Sequence, residues 1–299
     1  MLMRATQTLI EQSLLYPGGF LSPLEIDDAV TRALAEDLGR AGDVTSIATV
    51  PIGTPSRTVL VARKAGTIAG LPLVAAALRK LSPEIELKPE ARDGDAVKAK
   101  AVLMHITGDA RAVLSAERVA LNFLGHLSGI ATATAAFVAR VGKHKTRICC
   151  TRKTTPGLRA LEKYAVRCGG GFNHRFGLDD AILIKDNHIA VAGGIRAVLE
   201  RARANAGHLV KIEIEVDSLP QLREVLDCGL ADVVLIDNFE VAAMREAVAM
   251  VAVRLVIEAS GGITLDTIAD IAATGVDYAS SGALTHSSPS LDVGLDIEM

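Results

Sequence analysis

Aromatic residues are scarce in this chain, and tryptophan is absent altogether. Phe and Tyr make up 3% of the 299 residues, whereas hydrophobic residues of all kinds make up 49%. A core of Ala, Val, Leu and Ile is typical of helices packed on a parallel sheet. The formal net charge of −3 and the few aromatic rings also argue against nucleic-acid binding, which uses basic patches and stacking side chains. The composition therefore predicts an α/β protein that does not bind nucleic acid.

Cysteines are few, and they are not spaced for bridging or for metal binding. The four are Cys149, Cys150, Cys168 and Cys228, and no two of them form a C-x-x-C pair. This spacing favours reduced thiols over a disulfide framework or a zinc site. The N-terminus also lacks the charged and then apolar pattern of a signal peptide. We therefore expect a cytoplasmic protein with free cysteines.

Charged residues are missing from one long stretch, Val119–Ala139, which raises the question of a transmembrane helix. Polar and small residues interrupt the stretch, among them Asn122, Gly125 and the pair Ser128–Gly129. Such breaks fit a buried helical hairpin better than a bilayer-spanning segment. We predict two buried helices joined at Ser128–Gly129, near a subunit interface, and no membrane span.

The first part of the chain mixes helical and strand-like patterns. Ser22 and Pro23 predict the start of a helix, strand-like alternation follows at 58–63, and an Ala/Leu-rich helix is predicted at 71–81. The final residues, 291–297, alternate with period two and resemble an edge strand that returns to this part of the protein. We predict an N-terminal α+β sandwich domain formed by residues 1–118 and 286–299.

From Arg147 onward, strand-like runs alternate with helical patterns. The predicted strands are Arg147–Cys150, Ala181–Ile184, Val210–Val216, Asp232–Ile236, Leu255–Ala259 and Val276–Ser280. The predicted helices are Pro156–Arg167, Ile195–Ala206, Leu219–Asp227, Val241–Met250 and Leu265–Ala273. Repeated β-α units form a parallel sheet. We predict an α/β protein whose second domain, residues 119–285, is an incomplete parallel α/β barrel.

Polar residues follow six of these strands at the point where each strand ends. They are Arg152-Lys153, Lys185, Glu215, Asp237, Ser260-Gly261-Gly262 and Ser281-Gly282. Barrels and open α/β sheets place their active sites at the carboxyl ends of their strands. The coincidence therefore predicts one site, and the surplus of Lys and Arg between Thr151 and His188 predicts that it binds anions.

Several of these residues also have structural interpretations. Glu213 and Glu215 point to the same side of their strand, so they need a metal or a cation, such as a salt bridge to Lys185 or Lys211. Asp237 and its neighbour would also serve as a helix N-cap. The Ser-Gly segments would serve either as tight turns or as a phosphate cradle.

Four other residues are predicted to lie outside the site. Lys163 and Arg167, four apart on a helix, are predicted to be surface charges. His126 and His188 are predicted to have structural roles.

Four motifs in fixed order carry a resemblance to a known family. They are T-R-K-T-T-P-G from Thr151, E-K-Y-A-V from Glu162, G-G-G-x-N-H-R from Gly169 and L-I-K-D-N-H from Leu183. In this order and spacing they closely resemble quinolinate phosphoribosyltransferase, over a region from about Glu36 to about Ser287. One departure is visible, because the family usually has an acid just before Thr-Arg-Lys and this chain has Cys150.

The resemblance implies a reaction and a set of site residues. The reaction transfers the phosphoribosyl group of phosphoribosyl pyrophosphate to quinolinate, with Mg²⁺ as cofactor, and yields nicotinate mononucleotide, pyrophosphate and CO₂. The residues implied to bind quinolinate are Arg118, Arg152, His174, Arg175 and Lys185. Those implied to be catalytic are Lys153, Lys185, Glu215 and Asp237, of which Glu215 and Asp237 would hold the metal. The implied 5-phosphate cradle is Ser260, Gly261, Gly262, Ser281 and Gly282.

The resemblance also implies a homodimer, alone or within a hexamer, in which Arg118 completes the pocket of the partner subunit. Three alternatives stay open at this point. One is a paralogous protein of the molybdenum-transport-associated branch with another acceptor. The second is a barrel aldolase that forms a Schiff base on Lys185. The third is an anion-binding protein without catalysis.

Overall fold

A computed structural model describes residues 14–298 of the chain. Within that range the chain folds into two compact units. The first takes in the chain up to Ala135, Thr155–Gly170 and the chain from Ser287, and the second takes in Ala136–Thr154 and Gly171–His286. The helix predicted at Pro156–Arg167 thus belongs with the first unit, whereas the sequence placed it within the barrel domain.

The first unit is built on an antiparallel sheet. Its strands are β1 (Pro55–Ala62), β3 (Glu86–Pro89), β5 (Val102–Asp109) and β12 (Val293–Ile297), and a separate pair consists of β2 (Gly66–Thr67) and β4 (Ala96–Val97). The order in the main sheet is β12-β1-β5-β3. Leu295 of β12 lies opposite Leu60 of β1. The predicted return of the C-terminal tail as an edge strand is therefore confirmed.

From Pro23 onward, the helices of the first unit that precede its long helix are α1 (Pro23–Leu38), α2 (Val44–Thr49) and α3 (Leu71–Leu81). The α1 helix begins where Ser22 and Pro23 predict, because the Ser22 hydroxyl accepts a hydrogen bond from the Leu24 N–H at 3.2 Å. The α2 helix is held by its N-cap, since the Asp43 carboxylate accepts from the Ser46 N–H at 2.9 Å.

The uncharged stretch forms one continuous helix, α4 (Ala110–Val141), and the predicted break at Ser128–Gly129 is wrong. Ser128 does not end the helix, because its hydroxyl bonds the backbone of Ala69. Gly129 is a close-approach site, where an added Cβ would lie 2.2 Å from the Pro289 carbonyl oxygen. By length and composition α4 could cross a membrane, but 56% of its most apolar window is buried within the protein. Such burial is typical of a core helix.

The helix α5 (Arg159–Cys168) is buried along most of its length. Lys163 is only 2% exposed, so the prediction of a surface charge there is wrong. Arg167 is half-buried, and its guanidinium donates to the Gly18 carbonyl at 3.0 and 3.2 Å. A second charged residue of α5, Glu162, is also buried, and its carboxylate lies 2.9 Å from His126 Nε2 within the first unit. This contact also gives His126 the structural partner that the sequence could not identify.

The second unit is built on a parallel sheet. Its strands are β6 (Arg147–Cys149), β7 (Ile182–Ile184), β8 (Ile212–Val216), β9 (Val233–Asp237), β10 (Val256–Ser260) and β11 (Tyr278–Ser280). The order is β6-β11-β10-β9-β8-β7. Within residues 14–298, β6 and β7 stay at opposite ends of this order and do not pair with each other. The predicted incomplete parallel barrel is confirmed.

Six helices follow the strands of the second unit. They are α6 (Asp186–Ala192), α7 (Ile195–Asn205), α8 (Leu219–Cys228), α9 (Val241–Val251), α10 (Ile268–Ala272) and α11 (Ala283–His286). The α6 helix escaped sequence analysis because all of its residues are exposed or half-buried, so it has no apolar face. His188 closes its first turn, since His188 Nδ1 accepts from the Lys185 N–H at 3.0 Å. All four cysteines are free thiols, as predicted.

Candidate active site

A cavity of about 420 Å³ opens at the carboxyl ends of the parallel strands. It is lined by Thr151, Arg152, Lys153, His174, Arg175, Leu183, Lys185, Glu215, Leu235, Asp237, Glu258, Ser260 and Ser280. The five cationic candidates that follow Cys150 and both candidate metal ligands are therefore brought together. The parallel direction of the strands is the reason, because it aligns their carboxyl ends at one edge of the sheet.

One ion pair crosses the cavity wall between two neighbouring strands. Lys185, just after β7, places its Nζ 2.5 Å from Glu215 Oε2 near the end of β8. Ile184 and Ile214 are register partners in these strands, so the two following positions meet side by side. Of the two lysines that the sequence offered as salt-bridge partners, Lys185 is the one that pairs with Glu215. Lys211 pairs with Asp232 instead, at 3.2 Å.

A second cavity, also of about 420 Å³, adjoins the first and is lined by glycines and hydroxyls. It contains all five residues of the predicted phosphate cradle: Ser260, Gly261, Gly262, Ser281 and Gly282. Gly261 and Gly262 have φ values of +89° and +60°, which a residue with a side chain rarely adopts. Backbone N–H groups in such turns form concavities that bind anions.

Asp237 links the two cavities, since it lines both of them. Its Oδ2 accepts a hydrogen bond from Asn238 Nδ2 at 2.6 Å. The N-cap of the following helix α9 is Glu240, so Asp237 is not that cap. The carboxylate is therefore left to face the cavities.

His286 lines the glycine-rich cavity and was missed by sequence analysis. An added Cβ on Gly282 would lie 3.1 Å from His286 Nε2 and 2.9 Å from Lys153 Cδ. The side chains of His286 and Lys153 therefore both pass directly over that glycine. Within the same unit, the Thr285 hydroxyl donates to the Lys153 carbonyl at 2.7 Å and ties the two segments together. No sequence signal marked His286, because it stands at the end of a helix of one turn.

His174 and Glu258, which line the first cavity, form a cluster with the buried Glu213. His174 Nε2 is 3.0 Å from Glu213 Oε2 and 3.8 Å from Glu258 Oε1. Glu213 is 7% exposed and Glu258 is 5% exposed. Burial, together with the charge of the neighbouring Glu213, raises the pKa of Glu258 to about 7, and His174 opposes this shift. Sequence analysis missed Glu258, although an acid inside an otherwise apolar strand was a usable signal.

Two guanidinium groups lie close to each other at the cavity wall. Burial lowers the pKa of Arg175, and the nearby charge of Arg152 lowers it further. Arg175 Nη1 donates to the Ala181 carbonyl at 3.0 Å. Its Nε is buried and makes no hydrogen bond to any of the residues 14–298. Two half-buried guanidinium groups so close together repel each other, so the wall is preorganised for an anion.

Cys150 occupies the position at which the family usually has an acid. It is fully buried, and its thiol lies 3.3 Å from Asn173 Oδ1. Cys150 therefore contributes a neutral contact within the protein wall.

Arg118 is exposed and belongs to the first unit. There it lines a cavity of about 380 Å³ with Asn122, Gly125 and residues 290–293. Arg118 is not among the residues that line either cavity of the second unit.

Comparison with known proteins agrees with this geometry. Residues 43–128 match the family model of the quinolinate phosphoribosyl transferase N-terminal domain, and residues 130–296 match that of its C-terminal domain. The nicotinate-nucleotide pyrophosphorylase (carboxylating) of Mycobacterium leprae is 44% identical over 285 residues, which cover 93% of this chain and 100% of that protein. A tobacco quinolinate phosphoribosyltransferase (decarboxylating) is 36% identical over 98% of this chain and 88% of its own length.

Solved structures give the same result. The nicotinate-nucleotide pyrophosphorylase of Francisella tularensis superimposes with a TM-score of 0.90 at 35% identity, covering 94% of this chain and 98% of that one. Both domain models and these relatives extend over nearly the whole chain, and so the protein belongs to the quinolinate phosphoribosyltransferase family.

Proposed function

We propose that this protein transfers the phosphoribosyl group of phosphoribosyl pyrophosphate to quinolinate, with loss of CO₂. One observation carries the proposal. The cavity that gathers the cationic side chains and two carboxylates adjoins a second cavity made of glycines and hydroxyls. The first suits a dicarboxylate and a pyrophosphate, and the second suits a sugar phosphate. Relatives that bear the name of this activity match the chain along nearly its full length.

Quinolinate is a flat pyridine with two adjacent carboxylates, and the guanidinium groups suit it best. Arg152 and Arg175 offer planar forks that bind carboxylates with two parallel hydrogen bonds. Lys185 provides a further cation on the same wall, held by Glu215. These three residues are proposed to fix the ring so that its nitrogen faces the sugar.

Glu215 and Asp237 would hold Mg²⁺. The donor set fits, because both carboxylates line the same cavity and hard oxygen ligands are those that Mg²⁺ prefers. Asp237 also lines the glycine-rich cavity. When bound, Mg²⁺ supplies charge neutralisation to the pyrophosphate.

The phosphate end of the sugar is proposed to lie in the glycine-rich cavity. Gly261 and Gly262 offer backbone N–H groups at positive φ, and Ser260, Ser281 and Gly282 line the same cavity. A side chain at either glycine-rich segment would fill the space that the phosphate needs. Lys153 lines both cavities, so its side chain is proposed to bind the pyrophosphate.

The chemistry requires charge stabilisation rather than a covalent enzyme intermediate. The bond from the anomeric carbon to pyrophosphate breaks, and pyrophosphate leaves with the electron pair while Lys153 and Lys185 stabilise its negative charge. Glu215 and Asp237 stabilise the oxocarbenium-like centre. The pyridine nitrogen then donates its lone pair to the anomeric carbon. The positively charged ring accepts the electron pair released when the adjacent carboxylate leaves as CO₂, and that ring carbon takes a proton.

The assembly and the location belong to the same proposal. Arg118 is an exposed residue of α4 and is not among the residues that line the two cavities of the second unit. It is proposed to complete the acceptor pocket of a partner subunit in a cytoplasmic homodimer, alone or within a hexamer.

The test is direct. Purified protein is mixed with quinolinate, phosphoribosyl pyrophosphate and Mg²⁺, and nicotinate mononucleotide and CO₂ are measured. Formation of both in equal amounts is expected, and the absence of nicotinate mononucleotide at saturating substrates would refute the proposal. Borohydride trapping tests the aldolase alternative. No adduct on Lys185 is expected, because its Nζ is engaged by the Glu215 carboxylate.

A further inference from the structure

The ring of His174 is bonded to the protein at both of its nitrogens. Nδ1 accepts a hydrogen bond from the backbone N–H of Arg175 at 2.7 Å. Nε2 lies 3.0 Å from Glu213 Oε2. An acceptor at Nδ1 carries no proton, so the proton is on Nε2 and is donated to Glu213. The side chain is only 11% exposed. Neither nitrogen is left to bind a carboxylate of the acceptor.

The carboxylates below the ring are set into the sheet itself. Glu213 is on β8 and Glu258 is on β10, and the strand β9 lies between them. Glu258 is held by a hydrogen bond from Ser280 on β11. Residues on strands of a parallel sheet are held more rigidly than residues on loops, so the two carboxylates are a fixed support for the His174 ring.

Arg175 is fastened at both of its ends. Its backbone N–H is bonded to His174, and its Nη1 is bonded to the Ala181 carbonyl. The next turn is closed by Asp180, which accepts from the N–H groups of Phe176 and Gly177. Among these contacts, the bond to the His174 ring is the one that connects the Arg175 backbone N–H, through the ring, to Glu213 on β8.

We propose that His174 is a positioning residue, which joins Arg175 to Glu213 and so aims the Arg175 guanidinium at the acceptor, without touching the acceptor itself. The inference rests on the proposed function, because it concerns the acceptor side of that reaction. It separates His174 from the cations that bind quinolinate, although sequence resemblance groups them together.

Two substitutions of His174 separate its two bonds. In His174→Asn the side-chain oxygen falls near the place of Nδ1 and can accept from the Arg175 N–H. In His174→Gln the amide nitrogen falls near the place of Nε2 and can donate to Glu213. His174→Ala removes both bonds, and the exposed His208 offers a matched control as His208→Asn.

We expect His174→Ala to raise KM for quinolinate by about tenfold or more, because a misaimed guanidinium loses a charge-assisted hydrogen bond. KM for phosphoribosyl pyrophosphate should stay within about twofold. The Asn variant, which keeps the bond to Arg175, should regain most of the quinolinate affinity measured by calorimetry. Glu213→Gln, which keeps an oxygen for the ring to bond, should fall between wild type and Glu213→Leu.

The outcomes distinguish the inference from its rivals. Equal losses of quinolinate affinity in the Ala, Asn and Gln variants, with unfolding midpoints like that of His208→Asn, would make His174 a direct ligand and overturn the inference. His174, Glu213 and Glu258 have ligand atoms within 4.8 Å of one another, so a metal is the other rival. One transition-metal ion per wild-type chain, lost in His174→Asn, would also overturn it. A wild-type protein that forms no nicotinate mononucleotide would refute the proposed function instead, and calorimetry with quinolinate would still test the inference.

Discussion

The glycine at position 261 offers a sharp test of the phosphate cavity. Its φ is +89°, and a Cβ added there would lie 2.2 Å from Asn238 Oδ1 and 2.9 Å from the Asn238 backbone nitrogen. That nitrogen donates to the Ser260 carbonyl at 2.9 Å, so the backbone cannot move aside without separating the ends of β9 and β10. Gly261→Ala should therefore displace Asp237, which precedes Asn238.

The cost of Gly261→Ala has two parts. A left-handed alanine costs ~1–2 kcal/mol. Forcing a methyl group into a packed site costs a further ~1–3 kcal/mol. Gly229 separates the two, because it has a φ of +66° at the end of α8 and nothing lies within 4 Å of its added Cβ. Gly229→Ala should therefore show the backbone strain alone, at a position far from the chemistry in the chain.

The assay combines denaturant unfolding with steady-state kinetics. Gly229→Ala should lose ~1–2 kcal/mol of unfolding free energy and keep its kinetic constants within about twofold. Gly261→Ala should lose more stability, and its kcat/KM for phosphoribosyl pyrophosphate should fall at least about tenfold, since each tenfold corresponds to about 1.4 kcal/mol. Equal kinetic constants for the two variants would refute the assignment of the glycine-rich cavity to the phosphate.

Four further predictions follow from the same site and its supports. Nicotinate should be a much poorer acceptor than quinolinate, because one cation is left unmatched at a cost of ~1.5–3 kcal/mol, and similar kcat/KM values for the two acids would contradict the proposed pocket. Asp237→Asn should depress turnover but leave quinolinate affinity by calorimetry largely intact, whereas a collapse of that affinity would move Asp237 to the acceptor side. Arg118→Ala and Lys153→Ala should each be nearly inactive, yet mixed dimers of the two should regain activity at up to half of their sites, and no recovery in verified heterodimers would remove Arg118 from the partner's pocket. Tyr164→Phe should lower the unfolding free energy by ~1.5–3 kcal/mol, because the buried phenol donates to Asp93 Oδ2 at 2.9 Å, and an unchanged denaturation midpoint would show that this bond contributes nothing.

The spacing of residues along the chain predicted poorly which charged side chains are buried. Lys163 and Arg167, four apart on a helix, have the spacing of surface charges, yet Lys163 is 2% exposed. The spacing describes one helix, whereas burial depends on what the rest of the chain packs against it. Ser128 and Gly129 were misread for a similar reason. Their polarity and small size serve contacts with Ala69 and Pro289, which are distant in sequence.

The sequence by itself determined the order of strands and helices in the second unit and the end of each strand at which polar residues collect. Hydrophobic period and alternation are local properties, and parallel strands necessarily align their carboxyl ends, so the strand-end residues Lys185, Glu215 and Asp237 could be predicted as cavity residues, whereas Glu258, inside its strand, was missed. Only the tertiary structure decided which side chains meet. His174, Glu213 and Glu258 come from three separate segments, and their contact depends on the order of β8, β9 and β10 across the sheet. The pairing of each nitrogen of His174 depends on distances of a few ångströms, which no pattern along the chain encodes.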